Sequence, residues 1–144
     1  MLVQQILNSK TDQGIFSVAA TDEVEVAANL LSNKRIGTVV VSSSEGTLEG
    51  ILSERDIVRE IGKRGASCLQ DQVSSMMTSN IVTCSPQDTA DGVLEMMTTG
   101  RFRHLPVMEG SKMIGLISIG DVVKARLSEL SMEKDALEGM IMGH

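Results

Sequence analysis

The apolar positions fall into short blocks that recur along the chain. Ile15-Phe16-Ser17-Val18 is a brief apolar stretch, and Val24, Ala27, Leu30 and Leu31 follow at helical spacing. Gly37-Thr38-Val39-Val40-Val41 is β-branched and reads as a buried strand. Ser43-Ser44-Glu45-Gly46 is a turn, and Leu48 to Leu52 is the return strand of a hairpin. A helix then starts at Glu54. The same order comes again in Ile81-Val82-Thr83-Cys84, in Val93, Met96 and Met97 at helical spacing, and in the strand Arg103-His104-Leu105-Pro106-Val107. Gly115-Leu116-Ile117-Ser118 closes the second hairpin, with a helix from near Ile119. The offset is 66 before the turn (Ile15 to Ile81) and 65 after it (Gly50 to Gly115). The single deletion thus falls in the hairpin turn, where the backbone tolerates it.

Each repeat therefore reads as β-α-β-β-α, and the chain as an α/β (α+β) protein made of two such units. Asp22 and Asp88 are the expected N-caps of the first helix in each unit, and Gly100 the expected stop of its second copy. Each unit has one half-covered sheet, so the expectation is that the two pack together about a pseudo-twofold axis, with clefts where equivalent loops meet. Beyond Lys124 the pattern continues as a helix to about Met140. Leu127, Leu130, Leu137 and Ile141 form a stripe interrupted at Lys134. Such a stripe is either a seam for a partner helix or a face that packs on its own domain.

Composition narrows the functional classes. A chain of 144 residues is long enough for a real core, and with two aromatics, Phe16 and Phe102, that core must be aliphatic, with ten Met contributing. The net charge of −6 disfavours nucleic acid and anionic membrane as partners, since both need clustered Lys and Arg. Two Phe cannot build the aromatic platforms of single-strand binding. No apolar run reaches the length of a membrane span, and the N-terminal residues lack the features of a secretion signal. Cys68 and Cys84 read as free thiols in a reducing cytoplasm, and with His104 and His144 they offer no metal-binding spacing.

The chemistry concentrates in Gly-apolar-apolar-Ser-x-x-Asp, present as Gly50 to Asp56 and as Gly115 to Asp121. A helix N-terminus offers free N–H groups and a positive dipole end to an anion. Ser53 or Ser118 can hydrogen-bond a phosphate, and Asp56 or Asp121 can accept from vicinal ribose hydroxyls. Gly50 and Gly115 would let a ligand approach the backbone. Ser-x-x-Asp is equally close to a capping box, which explains each copy without any ligand. Arg101, Arg103 and His104 form a local basic cluster, joined by Arg55, suited to phosphate or to salt bridges with neighbouring carboxylates. Ser118, His104 and Asp121 include the residue types of a hydrolytic triad, but there is no Gly-x-Ser-x-Gly elbow and no phosphate-binding Walker loop. The chain is therefore not expected to be an enzyme.

The doubled pattern Gly50-Ile51-Leu52-Ser53-Glu54-Arg55-Asp56-Ile57-Val58 and Gly115-Leu116-Ile117-Ser118-Ile119-Gly120-Asp121-Val122-Val123, with Arg103 to Val107, resembles a tandem pair of cystathionine-β-synthase (CBS) domains, a Bateman module. Val73-Ser74-Ser75-Met76-Met77-Thr78 resembles that family's lead-in to its second domain, and the chain resembles the small stand-alone bacterial type. The resemblance implies a first domain over residues 8–64, a connector over 65–79, a second domain over 80–128 and a helical extension over 129–144. It also implies binding of adenine nucleotides, AMP first, with ADP, ATP and NAD as further candidates. By this resemblance Asp56 and Asp121 would hold ribose, and Ser53 and Ser118 ribose or phosphate, beside Arg55 and Gly120. Arg103 and His104 would contact phosphate, with Gly37 and Thr38 as the uncharged equivalents. Adenine would lie near Val18, Ala20 and Thr21 or near Cys84 and Pro86, against Ile36 and Phe102, with Thr83, Leu105 and Pro106 also in the ligand-binding set. The function implied is regulatory, in a cytoplasmic homodimer acting on a protein effector. The alternative is a dimeric adaptor that needs no ligand.

Overall fold

The computed structural model describes residues 1–10 and 14–142. Two compact units emerge, Gly14–Ile81 and Met1–Gln13 with Val82–His144. The second is discontinuous in sequence, because the N-terminal helix α1 (Val3–Ser9) folds with the second repeat rather than the first.

In the first unit, β1 (Ser17–Val18) leads to helix α2 (Val24–Lys34). The hairpin β2 (Thr38–Ser42) and β3 (Leu48–Ser53) follows, then α3 (Glu54–Arg64). The sheet order is β1-β2-β3, parallel then antiparallel. Its core is Val18, Val24, Ala27, Leu31, Val39, Val41, Leu52, Ile57 and Val73. A 3₁₀ turn (Ala66–Gln70) and a one-turn helix α4 (Val73–Met76) fold back on this unit, where Val73 is wholly buried.

The second unit repeats the plan with α5 (Ala90–Gly100), the hairpin β4 (His104–Glu109) and β5 (Lys112–Ser118), and the long helix α6 (Ile119–Met142). Its first strand shrinks to a single parallel bridge, Cys84 to Val107. The cause is Pro106. In the first unit Val40, at the equivalent position, donates its N–H to the Phe16 carbonyl at 3.0 Å. Proline has no N–H to give, so the ladder cannot extend past the bridge.

Three local expectations are corrected. Asp22 and Asp88 do not cap the helices after them. Each carboxylate instead ties off the preceding turn, accepting the N–H of Ala19 at 2.9 Å and of Ser85 at 2.8 Å. Glu23 and Thr89 are the N-caps, and Thr89 accepts the Gly92 N–H at 3.0 Å. Gly100 is the last helical residue rather than the terminator. The left-handed turn is made by Arg101 (φ 60°), as it is by Arg35 (φ 55°) in the first unit. Gly100 is needed because a Cβ there would collide with the Phe102 ring. The glycines opening the duplicated motif are also filled by protein. A Cβ on Gly115 would come within 2.7 Å of Leu7, and one on Gly50 within 2.6 Å of the Met77 sulfur and 3.0 Å of the Thr78 carbonyl. Space first assigned to a ligand is held by the side chains of the lead-in segments.

The C-terminal stripe does not pack on its own unit. Leu127, Leu130, Leu137 and Ile141 are all exposed on α6.

The two glycines differ in what surrounds them, which gives a test. Leu7 can shift a flexible side-chain end, whereas the Thr78 carbonyl is fixed by hydrogen bonds to Ile51. Gly50→Ala is expected to lower unfolding free energy in urea by about 1–3 kcal/mol, and Gly115→Ala by clearly less. Equal losses would show that the backbone clamp at Thr78 plays no part.

Candidate functional site

The same local geometry is built twice, inside each unit. A hairpin strand begins opposite the place where its partner ends: Thr38 pairs with Ser53, and His104 with Ser118. The helix that follows starts at the next residue. Its first N–H is tied to the strand start, Glu54 to the Gly37 carbonyl at 2.9 Å and Ile119 to the Arg103 carbonyl at 2.8 Å. Strand start, strand end and helix start are thereby held together.

Both copies form a capping box. Ser53 Oγ accepts the Asp56 N–H at 3.2 Å, while Asp56 Oδ2 accepts the Ser53 N–H and hydroxyl, each at 3.0 Å. Ser118 Oγ accepts the Asp121 N–H at 3.1 Å, and Asp121 Oδ2 accepts the Ser118 N–H at 2.9 Å. Of the N–H groups that an anion would use, the first and third are thus committed within the protein. Gly120, at the second helical position, is exposed, and a Cβ there would meet Ser118 Oγ at an ordinary 3.6 Å. The fold does not demand glycine at that point.

The carboxylates have different company. Asp56 Oδ1 lies 3.4 Å from Arg59, an exposed side chain one turn along α3. Asp121 Oδ2 lies 3.0 Å from Lys10 Nζ, which also donates to the Leu116 carbonyl at 2.9 Å. Burial pushes the Asp121 carboxyl up, but the Ser118 hydrogen bonds and the Lys10 ammonium outweigh it and hold it below the usual aspartate value. Lys10 was not legible in the motif. It approaches from the end of α1, and no local pattern in the sequence signals it.

The remaining expected residues divide between the units. The first gathers Val18, Ala20, Thr21, Ile36, Gly37, Thr38, Ser53, Arg55 and Asp56; the second gathers Thr83, Cys84, Pro86, Phe102, Arg103, His104, Leu105, Pro106, Ser118, Gly120 and Asp121. Val18, Cys84 and Leu105 belong to the cores, so their side chains are spent on packing. The Ala20 and Pro86 carbonyls accept N–H groups of the lead-in segments, from Ser74 and Gln4, each at 3.0 Å. Arg55 and Arg103 are exposed, and among the described residues neither makes an ion pair with a carboxylate. Burial, then the charge of Asp88, pushes the Cys84 thiol up to about 12, so it is protonated and inert at neutral pH. A surface depression lined by Glu60, Arg64, Asp71 and Gln72 contains none of these residues and is crossed by the Arg64 ion pairs to Glu60 and Asp71. Among the described residues no cluster of His, Cys, Asp or Glu could hold a metal, and no helix is long and apolar enough to cross a membrane.

Comparison with known proteins gives this geometry a family. The CBS domain model matches residues 6–63 and 73–128. A CBS-domain-containing protein from Agrobacterium tumefaciens is 43% identical in sequence and superposes with a TM-score of 0.83, over 88% of this chain and 99% of that one. A putative signal-transduction protein with CBS domains from Burkholderia ambifaria is 38% identical, with a TM-score of 0.83 over 89% of this chain and 95% of that one. Among curated relatives, the mitochondrial CBSX3 protein of Arabidopsis thaliana is 33% identical over 93% of this chain and 68% of its own length. A longer Arabidopsis relative, CBSCBSPB2, is matched over only 21% of its length. The CBS domain pair of protein MJ0100, 18% identical with a TM-score of 0.77, shares the fold and was solved with 5′-methylthioadenosine and S-adenosyl-L-methionine. With two matched domains covering most of its length, the chain belongs to the CBS-domain family, as a pair of CBS domains forming a Bateman module.

Proposed function

We propose that this pair of CBS domains is a regulatory module that binds an adenine nucleotide, AMP first, with ADP, ATP and NAD as further candidates. Binding would alter the conformation presented to a protein effector, within a cytoplasmic homodimer. The observation that carries the reading is the exposed Arg103 set beside a doubly built Ser/Asp helix start, with no carboxylate among the described residues to neutralise it. An exposed Gly120 that the fold does not require adds a place where a ligand can approach the backbone. The adenosine-containing ligands solved with the MJ0100 pair support the ligand class. In this reading Asp56 and Asp121 receive ribose hydroxyls, Ser53, Ser118, Arg103 and His104 face phosphate, and Ile36 and Phe102 flank the base.

Catalysis lacks support. Ser118 Oγ is engaged as a helix cap, accepting the Asp121 N–H at 3.1 Å.

A second reading, the ligand-independent adaptor, is favoured by α6. Val123, Leu127, Leu130, Leu137 and Ile141 keep a four-three-four spacing broken only at Lys134, and all five are exposed. Both readings include self-association, so the two tests are separate.

Saturating AMP, at about one hundred times its dissociation constant, is expected to raise the melting temperature by about 5–10 °C. Asp56→Ala and Asp121→Ala are each expected to weaken binding in a calorimetric titration. No shift with any adenine nucleotide at millimolar concentration returns both aspartates to capping alone. For the adaptor, Leu130→Glu with Leu137→Glu is expected to reduce the light-scattering mass to that of a monomer while leaving the melting temperature nearly unchanged. An unchanged mass removes α6 from the interface.

A further inference from the structure

The two copies of the motif differ most in one group. In the first unit the Ile51 carbonyl accepts a neutral backbone donor, the N–H of Thr78, at 2.8 Å. In the second unit the equivalent carbonyl, Leu116, accepts the ammonium of Lys10 at 2.9 Å. That ammonium reaches on to Asp121 Oδ2 at 3.0 Å, with both side chains largely shielded, at 30% and 25% exposure. Among the described residues the cation that pairs with the counterpart carboxylate, Asp56, is Arg59, at 3.4 Å and with a side chain 59% exposed. Lys10 is also firmly placed. It follows α1, whose Val3 and Ile6 are buried in the core and whose Leu7 sits against Gly115.

We infer that Lys10 makes the Asp121 site selective for an adenosine ligand that carries phosphate over the uncharged nucleoside. This rests on the proposed role of Asp121 as a ribose acceptor. Vicinal hydroxyls engage both oxygens of Asp121, and at Oδ2 they compete with the ammonium that already pairs there. An uncharged nucleoside offers that ammonium no anion in return, and a largely shielded charge left without its counter-ion is costly. A phosphate supplies a replacement anion, so the ion pair is exchanged rather than lost. Arg103, exposed at the start of β4, and His104, opposite Ser118, add to the same preference for an anion. The first unit has Gly37 and Thr38 at these positions and a peptide N–H in place of the lysine, so no comparable selection operates at Asp56.

The test compares AMP with adenosine by calorimetry in an Asp56→Ala background, where Asp121 alone titrates. Asp56→Ser serves if the alanine variant does not fold. AMP is expected to bind more tightly than adenosine. Lys10→Met is expected to shrink the AMP-to-adenosine preference by roughly fivefold, the scale of one partly exposed ion pair. Lys10→Arg, which keeps the charge, is expected to retain it. Urea unfolding of each variant checks that the fold is intact. A preference that Lys10→Met leaves unchanged overturns the inference while nucleotide binding stands. Failure of the unsubstituted chain to bind either compound removes the nucleotide reading itself, and this inference with it.

Discussion

The fold depends on a helix that each repeat cannot supply from its own sequence. A hairpin with at most a short third strand has too little sheet to close a core, and such units are marginal alone. The missing cover comes from the lead-in segments, docked by the same set of bonds. Val3 and Val73 donate to the Asp88 and Asp22 carbonyls, each at 2.8 Å, and Gln4 and Ser74 to the Pro86 and Ala20 carbonyls, each at 3.0 Å. Val3 and Val73 are both fully buried. Leu7 and Met77 then lie on Gly115 and Gly50, the only side-chain-free positions on those strands. The segment that precedes the first repeat covers the second, and the segment that follows the first repeat covers the first. Duplication in the sequence therefore does not coincide with the compact units, and α1 is a structural part of the second repeat.

This explains which features were legible in the sequence. The hairpins, the helix starts at Glu54 and Ile119 and the length of α6 follow from local patterns, and all stand where periodicity put them. The glycines of the motif were visible too, but their purpose was not, because the side chains over them come from distant lead-ins. Pro106 lay in plain view as a strand residue. Its effect on the neighbouring strand needed the register, in which the Pro106 carbonyl accepts the Cys84 N–H at 3.0 Å, so the position lacking a donor faces that strand, opposite Val82, rather than β5. Arg35 and Arg101 in left-handed turns were not readable, since that conformation favours glycine, and near Arg101 a glycine, Gly100, stood one residue too early.

The candidate site was half legible for a related reason. Ser53, Asp56, Ser118 and Asp121 could be assigned a role because capping is a local geometry, fixed by spacing. What distinguishes the copies is not local. Asp121 differs from Asp56 through Lys10, held by an element at the other end of the chain. Thr38 and His104 occupy matching strand starts, and Arg55 and Gly120 matching helical positions. The shared residues are those that the fold needs to begin a helix, and the divergent ones lie around them.

Capping and ligand recognition need not compete for the same carboxylate. A carboxylate offers about four acceptor directions. The cap uses Oδ2 in both copies, accepting the serine N–H. In Asp121 the lysine converges on that same oxygen. The hydrogen bonds that fix the side chain therefore orient its second oxygen as well, and they lower the entropy that a ligand would otherwise lose in ordering it. A helix cap so placed is a preorganised acceptor. The capping box, which alone gives no reason to expect a ligand, is the local structure that would make ligand binding at this point effective.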